Sequence, residues 1–472
     1  MDLGRVEIPL VGGSYESICF DQNSQRAVNL LVDIDQRGGM SQAMLFEMPG
    51  LLSFCDLGTG AIVRGVWGTD DYLYAVSGGD LFEIDSDGNE TNRGDVCVQS
   101  PLSFEPVSMI HNLTQLMVVD DGQADYYTFS TSAIATATGV PLGGPIDALD
   151  GYCIAPELTS GRKYHSNYED FSTWDALDYG SSEGYPDDSM AVIVGARNAW
   201  FLDKQSMEIW RNAGTTNPFF ARRDGTFNRT GCGASYSVAR TPNAVYWLSN
   251  RGQVIQGANY VPKVVSTGHI DYQIAALGTI SDARGGYIHH RGHDLYILTF
   301  PTGNRTFVYD ENTDGWSEWS SGVEFARHRG NCYTYFNGKY YCGDHSNGKI
   351  YEISPITYAD DGEAIRRVRR GRIYDAQGRI ITMSNLIIAF ESGTALATGQ
   401  GSDPQCMFRY RIDESRDWSA GIWRSIGKIG QYSHAVQIES LGSAESYHIE
   451  IAYSEPTPCR IMRMVADVEV SE

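Results

Sequence analysis

One short phrase recurs along this chain and limits what it can fold into. Residues 71–84 read DYLYAVSGGDLFEI, and residues 336–353 read FNGKYYCGDHSNGKIYEI. Each is a turn, an aromatic-rich run, a glycine, a polar residue and an apolar–aromatic–Glu–Ile ending. Looser copies centre on Leu116, Ile154, Trp200, Tyr246 and Tyr296, so the anchors from Leu73 to Tyr340 are 43, 38, 46, 46, 50 and 44 residues apart. A period of about 40–50 residues built from short strands marks a β-propeller, because one small sheet cannot bury both faces alone. The spacing predicts about seven blades over residues 51–358; six or eight also fit, since residues 158–189 form a long loop rich in Asp, Ser, Gly and Tyr.

Turn chemistry agrees. Asp87-Gly88, Asp121-Gly122, Asn337-Gly338 and Asn347-Gly348 are dipeptides that accept positive φ in tight hairpins. Helical periodicity is nearly absent. Past residue 358 the phrase stops, and Arg366, Arg367, Arg369, Arg370 and Arg372 open a segment of clean alternation. Its apolar sets are Phe408, Tyr410 and Ile412, then Ile449, Ile451 and Tyr453, then Met462, Met464, Ala466, Val468 and Val470. This pattern predicts a C-terminal β-sandwich or jelly roll over 359–472. Residues 1–50 carry no copy and read as an N-terminal arm. The fold class is all-β.

Bulk properties narrow the function. A chain of 472 residues exceeds one simple core. Its formal charge of −23 repels nucleic acid and supplies no basic groove, so DNA either is irrelevant or passes without sticking. No apolar run approaches the ~18 residues of a membrane span. The N-terminus lacks a basic start followed by an apolar block, which reads as a chain made and folded in a cytoplasm. The nine cysteines stand singly, with no CxxC pair. If Asn337-Gly338 is a two-residue turn, Cys342 lies opposite Tyr333, and Cys332 and Cys342 point to opposite faces as free thiols.

Each chemical motif has a plainer reading. DENTDG supplies Asp310, Asn312, Asp314 and Gly315 of a calcium loop, but Ser321 stands where a bidentate Glu is needed, so a polar hairpin turn capped by Trp316 and Trp319 is preferred. His289 and His290 are neighbours on a strand and face opposite sides, so with His293 they do not converge on a metal. The pairs Asp120-Asp121, Asp187-Asp188 and Asp360-Asp361 read as solvated turn residues, and no arginine triad or Tyr–Glu pair is found for sialidase-like glycoside cleavage. The five arginines read either as a solvated strand edge or as a stripe that docks on an acidic neighbour, another copy of the chain included. No Ser–His–Asp order, P-loop or Rossmann glycine run is present. The expectation is no enzyme, no cofactor and no structural metal.

The arm QRAVNLLVDID (25–35), followed by FEMPGLLSF (46–54), resembles the opening of the tail hub proteins of short-tailed bacteriophages, also called packaged-DNA stabilisation proteins. The loop YEDFSTWDALDYGSSEGYPDD (168–188), the hairpin VYDENTDGWSEW (308–319) and the ending from MFRYRIDESRDWS onward match that style. One departure is DESRDW (413–418), where related modules often carry a Gly-rich Asp-box-like turn. The resemblance implies a structural virion protein, assembled in the host cytoplasm as a homohexameric ring beneath the head-to-tail adaptor. The ring would close the DNA exit channel after packaging, seat the tail needle and tailspikes, and let genomic DNA pass without specific binding at ejection. The rival readings are a receptor- or glycan-binding (or glycan-cleaving) tail propeller, which needs an aromatic-lined pocket, and a host scaffold propeller.

Overall fold

The computed structural model describes residues 4–16, 23–35, 42–97, 106–182, 184–215, 220–413 and 415–471. Every one of the seven anchors lies on the second strand of an antiparallel meander, which is hereafter called a blade. The first blade is Val63–Gly68, Leu73–Ser77, Asp80–Ile84 and Glu90–Asp95. Four more four-stranded blades cover 108–136, 147–181, 189–222 and 239–264. The sixth begins with Arg284–His290 and His293–Phe300, and the seventh holds Gly330–Phe336, Lys339–Asp344 and Lys349–Ser354. The recurring phrase is therefore the second strand, the turn and the third strand of a blade. Burial along it is continuous, as in Leu73–Ser77, where all five residues are buried. Both faces of a blade meet neighbours, so an inner strand has no solvent side to mark by alternation.

Residues 53–304 and 328–353 form one compact unit. Its seven inner strands follow one another around an axis, and Gly330–Phe336 returns to Val63–Gly68. The Ser53–Asp56 end of the strand Gly50–Asp56 is the outermost strand of the seventh blade, beside Lys349–Ser354. Phe54 packs on Tyr341 there, 4.6 Å between ring centroids. An early segment thus completes the last blade, and the ring closes non-covalently. Polar bonds stitch the seams. Arg64 of blade 1 pairs with Asp120 of blade 2 at 3.0 Å, and Lys163 of blade 3 with Asp203 of blade 4 at 3.0 Å. Asn331 Nδ2 of blade 7 donates to the Val63 carbonyl of blade 1 at 2.8 Å. Both members of each ion pair are buried, so each satisfies a charge that would otherwise be costly.

Residues 1–52, 305–327 and 354–472 form a second compact unit. One of its sheets runs Leu30–Ile34, Ala43–Glu47, Ile461–Val470, Ile381–Phe390 and Val436–Ala444, with Gly4–Ile8 also paired to Ile461–Val470. The other runs Gly315–Glu318, Ser24–Val28, Arg367–Arg370, Ser446–Tyr453, Gln405–Ile412 and Ile422–Ser425. A single core containing Leu10, Leu45, Ile388, Phe408, Ile449 and Met464 joins the two sheets. In place of three successive segments, the arm and the C-terminal segment share one core, and residues 305–327 belong to the same unit. The arm's strands cover sheet edges that would otherwise expose unpaired backbone.

Local differences have physical reasons. Asn337 and Gly338 have φ of 44° and 80°, the expected tight turn, and Cys342 pairs in register with Tyr333. All eight described cysteines are free; Cys19 lies outside the described residues. Neither Asn347-Gly348 nor Asp121-Gly122 uses positive φ. A Cβ at Gly348 would lie 2.5 Å from Thr59 Oγ1, so a larger residue there requires that side chain to shift. A nine-residue helix, Gly268–Ala276, precedes the sixth blade and is too short to have shown a stripe in the sequence.

The seam that closes the ring is testable. A Cβ on Gly68 would lie 2.2 Å from the Tyr335 carbonyl oxygen, a backbone atom that cannot swing away. Gly68→Ala is expected to destabilise the propeller unit by about 2 kcal/mol in denaturant titration. Gly268→Ala, with nothing within 4 Å of its added carbon, is expected to leave stability unchanged or slightly raised.

Candidate functional site

The arginine run occupies the strand Arg367–Arg370, which pairs with Ser24–Val28 on one side and Ser446–Tyr453 on the other. Arg367 and Arg369 are buried at 1% and 0% exposure, so neither is presented to a neighbouring protein. Arg369 donates to the carbonyls of Leu10 at 2.5 Å and Gly13 at 2.9 Å, and to Gln25 Oε1 at 2.7 Å. Burial pushes its guanidinium down to about 9, which still leaves it charged at neutral pH. Arg367 Nη2 donates to the Tyr358 carbonyl at 3.0 Å. Arg370 bonds Glu450 at 2.9 Å and Glu16 at 3.0 Å. The docking-stripe expectation is thus corrected for these three: their charges serve partners inside their own unit. Arg366 lies half-buried over the Phe325 ring at 4.9 Å, and Arg372 is exposed.

Around this strand the charges form one network. Arg26 grips Glu318 by two bonds of 2.7 and 2.9 Å, and Arg305 reaches the same carboxylate at 3.1 Å. Burial opposes the Arg26 charge most, but Glu318, together with Glu16 and Glu450, more than offsets this and holds the guanidinium above its ordinary value. Asn29 receives the Ser320 N–H at 2.8 Å and donates to the Arg366 carbonyl at 2.9 Å. Buried His448 is pushed down to about 3 by burial first, then by Arg411 and Arg370. An arginine can only donate, so His448 Nδ1 accepts from Arg411 Nε at 3.0 Å. The proton then sits on Nε2, which donates to the Gly371 carbonyl at 3.0 Å. Trp418, from the DESRDW segment, covers Arg411 and Arg409 at 4.7 and 4.9 Å. Glu414 of that segment lies outside the described residues.

The propeller unit has its own site, a cavity of about 320 Å³ on the axis, with lining residues from all seven inner strands. Arg64, Arg240 and Arg284 come from blades 1, 5 and 6, too far apart in sequence to have been read as a set. Arg64 is turned into the seam with Asp120, which leaves Arg240 and Arg284 as the cationic lining. Asp147, the lining carboxylate, accepts from Arg240 at 3.1 Å and from the Val194 N–H at 2.7 Å.

The remaining sequence candidates are structural. DENTDG is the hairpin turn between Arg305–Asp310 and Gly315–Glu318, and Asp310 accepts from Asn312 N at 3.0 Å and Thr313 Oγ1 at 2.6 Å. His290 pairs across its hairpin with His293 and both are buried, while His289 faces outward and contacts Asp294 at 2.9 Å. Asp120 and Asp360 are buried and not solvated as expected; Asp120 is held by Arg64 and by its own turn. Asp188 lies on the surface with Lys204. Among the described residues no group of three His, Cys, Asp or Glu is placed to share a metal ion, and no helix is long and apolar enough to cross a membrane.

The ring of inner strands with its axial cavity, and a second all-β unit woven from residues 1–52, 305–327 and 354–472, define a β-propeller protein of composite architecture. Residues 6–358 match the family model Phage_stabilise, described as Bacteriophage P22 Gp10, beta-propeller, and the chain belongs to that family. No curated protein matches the sequence. Among solved structures, the computationally designed Ika8 protein is 10% identical over 64% of this chain and 99% of its own, with a TM-score of 0.39. YCF48 bound to D1 peptide is 12% identical over 65% and 98%, at 0.42. The extracellular domain of BT4673 from B. thetaiotaomicron is 11% identical over 70% of this chain and 44% of that one, at 0.45. Such distant likenesses say nothing of function.

Two outcomes follow from the network. Arg369→Met strands several buried acceptors and is expected to cost about 3 kcal/mol of stability, whereas Arg372→Ser stays within about 0.5 kcal/mol. His448 is held below its ordinary value of 6.5, so its contribution is full above that pH and is lost as pH falls toward 3. Melting of the wild-type chain is expected to fall more steeply between about pH 7 and pH 4.5 than melting of His448→Gln, which keeps an acceptor and a donor without a titrating proton.

Proposed function

We propose that this chain is the structural tail hub of a short-tailed phage. A ring of copies, six by the family resemblance, sits below the head-to-tail adaptor, closes the DNA exit channel after packaging, and seats the needle and tailspikes. The observation that carries this reading is the family match over residues 6–358, which spans the arm as well as the blades. Physical features support it. An axial cavity of about 320 Å³ is too small to pass a duplex whose major groove alone is ~12 Å wide, which favours a channel between copies over one through the propeller. With Arg367, Arg369 and Arg370 consumed internally, the outer surface is more acidic than the arginine run suggested, and an acidic wall lets phosphates slide. Within the arginine run, Arg372 and the outer edge of Arg366 are what is left for basic contacts between copies or with the adaptor.

Imaging of the isolated chain and of particles tests the reading. Rings of copies at the tail are expected, with loss of packaged DNA from heads assembled without the protein. Arg372→Glu is expected to weaken ring assembly while leaving the melting temperature unchanged. Particles that lack the chain yet retain their DNA would contradict the hub role.

A further inference from the structure

We propose that the axial cavity of the propeller unit binds a carboxylate-bearing sugar, with Arg240 taking the carboxylate and Tyr335 lying against the ring. The cavity, about 320 Å³, falls at the small end of ligand pockets and suits one or two sugar units. Its polar wall is prepared for an anion. Arg240 uses Nη1 alone for its three bonds, to both Asp147 oxygens at 3.1 and 3.3 Å and to the Val194 carbonyl at 3.2 Å. Its side chain remains 46% exposed, and the Nε and Nη2 edge has no partner among the described residues. That edge is the fork that binds a carboxylate bidentately, and it is already oriented by the Asp147 contact. A second guanidinium, Arg284, is held in the same lining by Asn331 Oδ1 at 2.5 Å.

The local charge is opposite to that of the whole. The chain carries −23, yet among the described lining residues Arg240 and Arg284 stand with a single carboxylate, Asp147, which is 8% exposed and occupied by Arg240 and by the N–H groups of Val194 and Ala148. An anion that would be repelled over most of the surface is accepted here. The rest of the wall is tyrosine-rich: Tyr236, Tyr287, Tyr333 and Tyr340 are half-buried, and Tyr335 is 57% exposed beside Tyr340 at 5.1 Å between centroids. Each such ring offers an apolar face and a hydroxyl, the pairing that a sugar's C–H face and hydroxyls require. A bare phosphate would use the arginines and leave this wall idle; a polynucleotide does not fit. The site is independent of the hub reading, since a ring subunit can carry it or lack it.

The test titrates the intact chain with D-glucuronate, D-glucose and inorganic phosphate, followed by calorimetry and by tyrosine and tryptophan fluorescence. Saturable binding of glucuronate is expected, with glucose and phosphate each at least about 10-fold weaker. Arg240→Gln and Tyr335→Ala are each expected to weaken glucuronate at least about 10-fold, and Arg372→Ser to leave it unchanged. Arg240 also ties blades together, so Tyr335→Ala, at an exposed position, keeps the test decisive if Arg240→Gln loses stability. Glucuronate no tighter than glucose, phosphate as tight as glucuronate, or full affinity in the folded Tyr335→Ala chain would each overturn the proposal.

Discussion

The strand Ser24–Val28 is the piece on which the second unit depends. It lies between Gly315–Glu318, where Val28 pairs with Glu318, and Arg367–Arg370, and so bridges two segments that are remote in sequence. Its position is held by charge as much as by its backbone ladder. Arg26 is fixed by Glu318, and Arg369 bonds Gln25 on the strand and reaches past it to Leu10 and Gly13. A buried guanidinium tolerates few arrangements, because each misplaced donor leaves a desolvated charge or an orphaned carbonyl. Apolar residues at these positions could stabilise the unit as well, but they would not specify one register among several. Here the network specifies it.

Much of the propeller was legible because a blade is a local object. Its strands are neighbours in sequence, its turns announce themselves, and its period survives divergence, so every anchor from Leu73 to Tyr340 fell on a second strand. What escaped was long-range pairing. The run at 366–372 showed its charge density, but the partners of Arg369 lie some 340 to 360 residues away, and nothing local distinguishes a buried arginine from a solvated one. The alternation of Arg367 and Arg369 on one face was the available hint. Asp120 was misread for the same reason, its partner Arg64 being in the preceding blade. The cavity arginines Arg240 and Arg284 meet only because the ring brings distant inner strands to one axis.

The two units divide the physical tasks. The propeller supplies a rigid ring whose blades bury both faces and whose seams are closed by paired charges, leaving loops at the surface for contact. The second unit spends its strongest cations internally, so the residual surface is acidic and interacts with a polyanion by repulsion.

The central structural claim is that the arm is an integral part of the second unit. Native-state hydrogen exchange measures this most directly, by comparing amides of Ser24–Val28 and Leu30–Ile34 with those of Ile381–Phe390 and Ser446–Tyr453. If the arm is woven in as described, all four segments open together, with the same free energy of exchange. Exchange of the two arm strands at a much lower free energy, with the C-terminal strands still protected, would show that the arm only lies on a unit that is stable without it.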